Sequence, residues 1–268
     1  MSRHSQLGRG AVRLRLYPLL AALAVIPAGV AARPLVAVID SGVAMTPELR
    51  PLLRAEYDFG SPLAPRPAFH PRYDHGTMVA TILARAAHGG ADIISLRVDD
   101  PAGCAPDLTP PCQPDAAPLA AAIRKASALG ANVINISLTL KSDPAIRAAV
   151  ADATKAGATI VLAAGNEGRD RPGNLAVARA GYPNTVLVGA LDASGRPWSG
   201  TNRPTHAASG YAYVWQPGVD VVGATAAGQP AMGTGTSFAA PIESGRLVTA
   251  LAASESAATR LATRSAAR

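Results

Sequence analysis

The sequence predicts an α/β fold with three layers, in which helices cover both faces of a mainly parallel central sheet. Short, wholly apolar runs such as residues 35–39 (LVAVI) are typical of strands that are buried on both faces. These runs alternate with amphipathic helical segments, which is the pattern of a parallel sheet. The chain has 268 residues, 49% of them hydrophobic, which is enough for one large domain with a single core.

The predicted elements follow one another from residue 35 to about residue 252. Strands are expected at residues 35–39, 92–98, 132–138, 159–164, 185–190 and 219–224, and helices at residues 76–87, 119–129, 144–157 and 237–252. Asp143 before Pro144 indicates an N-cap followed by proline at the first helical position. Gly130 indicates where the second helix stops.

The two ends of the chain differ from the predicted domain at residues 33–253. Residues 1–32 have the features of a secretory signal: a basic part ending at Arg15, an uncharged apolar stretch, and small residues before Arg33. The apolar stretch reaches the short limit of a membrane span, so a retained anchor is the alternative to a cleaved signal. We expect a secreted or periplasmic protein that begins near Arg33, without space for a propeptide and without stable membrane association after cleavage. Residues 254–268 are low in complexity and predict a disordered or frayed tail.

The formal net charge of +7 comes mostly from arginines in these two end segments. A nucleic-acid-binding domain would carry a basic stripe within its fold, and none is evident, so we expect no nucleic-acid partner. Cys104 and Cys112 lie in a proline-rich stretch, and in an exported protein such a pair more often forms a disulfide than a metal site. Closing so short a loop would stabilise the fold by about 2–3 kcal/mol. We predict no metal site and no cofactor, because zinc would need two further ligands nearby.

Three polar residues stand where a parallel sheet usually binds ligands or where a helix begins. Asp40 ends the first predicted strand, His75 precedes an apolar helix, and Ser237 follows a glycine-rich segment and opens the last helix. Taken singly, they have structural alternatives as a turn residue, a helix-start residue and an N-cap. Taken together, in the order Asp, His, Ser, they match one known arrangement of a catalytic triad.

The segments around these residues resemble the subtilisin family. That family's Asp, His and Ser segments are similar to VAVIDSG, HGTMVA and GTSFAAP, in this order. Its oxyanion segment is similar to AAGNEG around Asn166, and its substrate-pairing strand is similar to VINISL. The resemblance covers about residues 35–252. It implies a subtilisin-like fold and a serine endopeptidase that acts on polypeptides through an acyl-enzyme, with Asp40, His75 and Ser237 as triad and Asn166 in the oxyanion hole. The substrate-binding residues it implies are Ser137, Leu138, Thr139, Ala163, Ala164 and Gly165.

The sequence also departs from the family pattern. Thr139 stands where glycine is usual, which predicts a narrower specificity pocket, and Met78 and Thr81 replace the common His and Gly of the His helix. The short connection at residues 84–91 offers no cluster of carboxylates, so we expect weak calcium dependence. A catalytically silent binding module on the same fold is one alternative, although the triad residues are intact. A nucleotide-binding domain is another, but it would want a glycine-rich phosphate loop after the first strand.

Overall fold

Seven strands form the central sheet of this protein, for which a computed structural model describes residues 32–105, 111–113, 115–205 and 210–266. The strands of this sheet are β1 (Leu35–Asp40), β2 (Leu53–Asp58), β3 (Asp92–Arg97), β4 (Val133–Ile136), β5 (Thr159–Ala163), β6 (Thr185–Leu191) and β7 (Ala212–Pro217), and a separate pair is formed by β8 (Val221–Ala224) and β9 (Pro230–Gly233). The helices are α1 (His75–Ala86), α2 (Ala116–Ala128), α3 (Pro144–Lys155), α4 (Leu175–Ala180) and α5 (Thr236–Ala266). The predicted secretory signal lies outside the described residues, apart from its last position.

The strand order is β2-β3-β1-β4-β5-β6-β7, and every neighbouring pair is parallel. β1 therefore lies inside the sheet, between β3 and β4, and the carboxyl ends of all seven strands meet at one edge. Parallel neighbours need crossover connections, which α1 to α4 largely provide. The predicted α/β fold with a mainly parallel sheet is confirmed.

Alternate residues of the central strands enter two separate apolar cores, because successive side chains of a strand point to opposite faces. In β1, Ala37 and Ile39 belong to the core that α2, α3 and α4 cover. Val36 and Val38 belong to the core on the other face, which α1 and α5 cover. A strand buried on both faces must be apolar at every position, and this accounts for the continuous LVAVI run.

Three strands, β2, β7 and β9, were not predicted from the sequence. β2 and β7 are the edge strands of the main sheet, and most of their residues are only partly buried. Their mixed polar and apolar sequences do not give the uninterrupted apolar run by which the inner strands are recognised. β8 was predicted, but it pairs with β9 in a separate antiparallel ribbon rather than in the main sheet.

The last helix also differs from its prediction. α5 continues to Ala266 instead of ending near Ala252. Residues 251–266 contain neither glycine nor proline and are rich in alanine, so nothing in the sequence stops the helix there. Among the described residues, no helix is both long enough and apolar enough to cross a membrane.

Candidate active site

Asp40 and His75 are joined by a hydrogen bond at the carboxyl edge of the sheet. Asp40 is the last residue of β1 and is fully buried, and His75 is the first residue of α1. His75 Nδ1 lies 2.8 Å from Asp40 Oδ1, which also accepts a hydrogen bond of 2.7 Å from the Ser41 backbone N–H. A Cβ on Gly76 would lie 2.3 Å from the Gly42 carbonyl oxygen, so only glycine lets α1 approach β1 this closely.

The surroundings of His75 raise the pKa of its imidazole above the ordinary value of 6.5. Burial alone would lower this pKa, because it disfavours the charged form. The negative charge of Asp40 and its hydrogen bond to Nδ1 outweigh the effect of burial. Because Nδ1 is bound to Asp40, Nε2 is the nitrogen that remains for proton exchange in the cleft.

Ser237 lies in the first turn of α5 and lines the same cleft as His75. Its hydroxyl donates a hydrogen bond of 2.9 Å to the Ser137 carbonyl. Among the described residues, no hydrogen bond joins Ser237 Oγ to His75. The ring of Phe238, the next residue, has its centroid 5.6 Å from that of the His75 ring.

A proline inside α5 accounts for a second bond between Ser237 and Ser137. Pro241 has no N–H, so the Ser237 carbonyl four residues earlier lacks its usual helical partner. The Ser137 hydroxyl donates to that carbonyl at 2.9 Å, and it accepts a bond of 3.0 Å from Asn135 Nδ2. The start of α5 and the end of β4 are thus held together in both directions.

Asn166 follows β5 and is exposed in the cleft. Its Oδ1 accepts two hydrogen bonds from Thr236, one from the backbone N–H and one from the hydroxyl, each 2.9 Å long. Both bonds fix the oxygen side of the amide and turn Nδ2 away from Thr236. A Cβ on Gly235 would lie 3.0 Å from Asn166 Nδ2, so the glycine keeps the space beside this donor open.

The cleft that contains these residues has a volume of about 1060 Å³. Ser137, Leu138 and Thr139, which are predicted to bind substrate, line it. Ala163 and Ala164 are not among the lining residues, and each exposes at most 4% of its surface. Gly165 is half-buried and donates its N–H to the Thr236 hydroxyl. Lining residues that the sequence did not single out include Asp100, Gly103, Ala105, Pro111, Gln113, Leu119, Leu140, Lys141, Glu167, Thr234 and Phe238.

Cys104 and Cys112 form a disulfide at one side of this cleft, and Cys112 is among the lining residues. The Asp100 backbone N–H also donates to the Cys112 carbonyl at 2.9 Å. The disulfide and this hydrogen bond thus tie Cys112 to Cys104 and to Asp100 at this side of the cleft. Within the described ranges, no group of three or more His, Cys, Asp or Glu side chains could hold a metal ion.

A network of charged side chains holds the segment that leads to His75. Arg66 makes hydrogen bonds of 2.8 Å to both carboxylate oxygens of Asp58 and one of 3.0 Å to Asp99 Oδ2. Arg97 donates to Asp99 Oδ1 at 2.9 Å and to the His70 carbonyl at 3.1 Å. Burial would raise the pKa of Asp58, but the hydrogen bonds and charge of Arg66 lower it to about 2.

We expect Asp58→Asn to lower the free energy of unfolding by about 2 kcal/mol at pH 7, because hydrogen bonds to a charged group are lost. The pKa of Asp58 is lower in the folded protein than in the unfolded chain. Its stabilisation is therefore fully present above a pH of about 4 and is lost as the pH falls through about 2. Urea unfolding of the wild type and the variant between pH 2 and pH 7 measures the difference. Asp192→Asn, at a partly exposed carboxylate, is the control, and an equal effect of both substitutions would contradict the prediction.

The comparisons with known proteins agree with one another on the family. A sequence model of the Subtilase family matches residues 32–266. The thermophilic serine proteinase of Bacillus sp. (strain AK1) is 32% identical over 214 residues, which are 77% of this chain and 49% of that protein. A cuticle-degrading serine protease of Orbilia oligospora is 36% identical over 129 residues, which are 47% of this chain and 28% of that protein. The chain thus spans about half, or less, of the length of these relatives.

A solved structure of a cold adapted subtilisin-like serine proteinase superposes with a TM-score of 0.66. The match covers 81% of this chain and 74% of the other, at 23% identity, and it supports the fold. The family model extends over the entire described region, including all the cleft residues. The chain belongs to the subtilase family.

Proposed function

We propose that this chain is an exported serine endopeptidase that hydrolyses peptide bonds in polypeptides. The observation that carries the proposal is the 2.8 Å bond between His75 and buried Asp40, at a cleft that Ser237 and Asn166 also line. A carboxylate that orients an imidazole beside a serine hydroxyl is the arrangement used for acyl transfer. The signal-like residues 1–32 support export to a secreted or periplasmic location.

In the proposed reaction, Ser237 Oγ attacks the carbonyl carbon of the scissile peptide bond. His75 Nε2 takes the hydroxyl proton and then gives it to the leaving amine, which yields an acyl-enzyme. Water attacks the acyl-enzyme by the same route in reverse and releases the acid. Asp40 keeps Nδ1 protonated and stabilises the imidazolium that forms at each step.

The carbonyl oxygen becomes negative when the tetrahedral intermediate forms, and two donors suit it. One is Asn166 Nδ2, whose orientation the two bonds from Thr236 determine. The other is the Ser237 backbone N–H in the first turn of α5, where the helix dipole also favours negative charge. Because Thr236 already fixes Asn166 Oδ1, little reorganisation of this amide would be needed during the reaction.

The Ser237 hydroxyl must leave the Ser137 carbonyl before it can transfer its proton to His75. Catalytic hydrogen bonds are often absent or long without substrate and form in the substrate complex. A substrate strand pairing with residues 137–139 would compete for the same backbone groups, which favours release of the hydroxyl. The proposal therefore places the active arrangement in the complex with substrate.

Labelling with a fluorophosphonate tests this function directly, because such probes phosphonylate only an activated serine. We expect one label per chain, on the peptide that contains Ser237, and loss of peptide hydrolysis in step with labelling. Heat-unfolded protein and the peptide that contains Ser199, a serine that does not line the cleft, provide the background. If folded protein neither takes the label nor cleaves a peptide library, the proposal is wrong.

The raised pKa of His75 predicts where activity declines on the acid side. His75 must be neutral to accept the proton, so kcat/KM should fall as the pH drops through an apparent pKa above 6.5. Asp40→Asn removes the charge that raises this pKa, so the residual activity should show its acid limb at lower pH. Values of kcat/KM between pH 5 and pH 9, on a peptide without ionisable side chains, measure the acid limb of the wild type and that of Asp40→Asn. An acid limb that stays in place in Asp40→Asn would contradict this assignment.

A further inference from the structure

Asn174 joins two strands at the point where the sheet opens below the cleft. The last paired residues of β4 and β5 are Ile136 and Leu162, and beyond them the two chains separate. The Asn174 amide bridges the gap: Nδ2 donates to the carbonyls of Leu138 and Ala163, both at 2.9 Å, and Oδ1 accepts from the Leu140 backbone N–H, also at 2.9 Å. All three partners are backbone groups: Ala163 is the last residue of β5, and Leu138 and Leu140 follow the end of β4.

This use of the side chain is unusual for the position that Asn174 occupies. Asn174 is the N-cap residue of α4, where an asparagine oxygen commonly accepts a hydrogen bond from the first turn of the helix. Here no such bond is made, and the amide turns to the strands instead. Only 2% of Asn174 is exposed, and its bonds to Ala163 and Leu140 are buried, whereas its bond to Leu138 is partly buried.

The part of the chain that Asn174 holds is a wall of the cleft. Residues 138–141, which we name the cleft segment, all line the cleft. Within it Thr139 is exposed, whereas Leu140 is 5% exposed and packs in the core beneath α2 and α3. The segment has no strand partner beyond Ile136 on the β5 side, so the amide takes the place of the missing sheet bonds.

We infer that Asn174 is a positioning residue that fixes the distance between the cleft segment and β5 and so selects the substrate side chain before the scissile bond. The inference rests on the proposed peptidase function, and Asn174 itself touches neither substrate nor the reacting atoms. Without its amide, three backbone groups lose this partner, two of them in buried bonds, and the cleft segment moves to satisfy them. A wall that can move discriminates less between side chains of different size.

The test compares kcat/KM for peptides that differ only in the residue before the scissile bond, as Ala, Leu or Phe. We expect the ratio of kcat/KM for the best peptide to kcat/KM for the poorest peptide to be about tenfold smaller in Asn174→Ala than in the wild type. This change corresponds to about 1.4 kcal/mol. The rate of labelling by a small fluorophosphonate, which leaves the pocket empty, should change far less. A ratio equal to that of the wild type would overturn the inference.

Two further variants keep the test decisive. Asn132→Ala is the matched control, because Asn132 Oδ1 also accepts a strand N–H, that of Leu35 at 2.8 Å, but at the opposite edge of the sheet. It should lower stability and leave the ratio unchanged, and an equal shift in Asn132→Ala would overturn a specific role for Asn174. Asn174→Asp keeps the side-chain volume and the oxygen that accepts from the Leu140 N–H, but it loses both N–H donors. It should therefore shift the ratio in the same direction as Asn174→Ala. If Asn174→Ala fails to fold, Asn174→Asp provides the test. A wild type that takes no label would instead refute the proposed function, so the two failures are distinguishable.

Discussion

Ser237→Ala is expected to reduce the turnover of peptide substrates on the order of a million-fold, a magnitude that belongs to subtilisin itself and is carried over to this relative. The substitution removes the attacking oxygen, while the bond between His75 and Asp40 remains. His75→Ala should cost about as much, since the hydroxyl then has no base. The double variant should lose little more than either single variant, because the groups act as one unit.

Initial rates on a fluorogenic peptide, together with active-site titration, measure these losses. Ser199→Ala is the matched control, and it should retain the wild-type rate. Circular dichroism establishes that each variant is folded, so that a loss of rate reports chemistry. If Ser237→Ala retains the wild-type rate, or if the losses from the two single variants multiply in the double variant, the triad is assigned wrongly.

Asn166→Ala is expected to lower kcat by about 100- to 1000-fold with a much smaller effect on KM. The donor acts on the oxygen that becomes negative in the transition state, so its loss affects binding of the ground state little. The variant also leaves the Thr236 N–H and hydroxyl without their acceptor, and a small loss of stability should accompany the loss of rate.

Comparing the steady-state kinetics of Asn166→Ala and Asn184→Ala separates the loss of the oxyanion donor from a general effect of replacing an asparagine. Asn184 is exposed, lies before β6 and does not line the cleft, so its substitution should leave kcat unchanged. Labelling of Asn166→Ala by a fluorophosphonate should be slowed as well, because the probe also develops negative charge on oxygen. A kcat within about threefold of the wild type would show that another donor stabilises the oxyanion.

The central part of the fold could be predicted because its strands are buried on both faces. β1, β4 and β5 have almost uninterrupted apolar sequences, and short runs of this kind are typical of the inner strands of a parallel sheet. The positions of Asp40 and Asn166 after strand ends also follow from the pattern, because parallel strands bring those ends to one edge. The contact between Asp40 and His75 needed the family resemblance as well.

Features that depend on distant partners could not be predicted. An edge strand such as β2 has a mixed sequence, and nothing local shows that it pairs with β3. Asn174 carries no motif, since its three bonds go to residues on two other segments of the chain. The same is true of Arg66, whose partner Asp99 follows a different strand. These groups become visible only once the strands are placed side by side.

The central position of β1 has a consequence for how the proposed active site forms. Leu35 pairs with Asp92 and Val36 pairs with Val133, so both edges of β1 depend on segments that are synthesised long after it. Folds dominated by such distant pairings have high contact order and fold slowly, because loop closure must precede the contacts that compensate for it. Asp40 is the last residue of β1, so its position beside His75 depends on these pairings. In the proposed peptidase, folding and the onset of proteolysis are therefore coupled, so an incompletely folded copy would be inactive and open to cleavage by copies that have already folded.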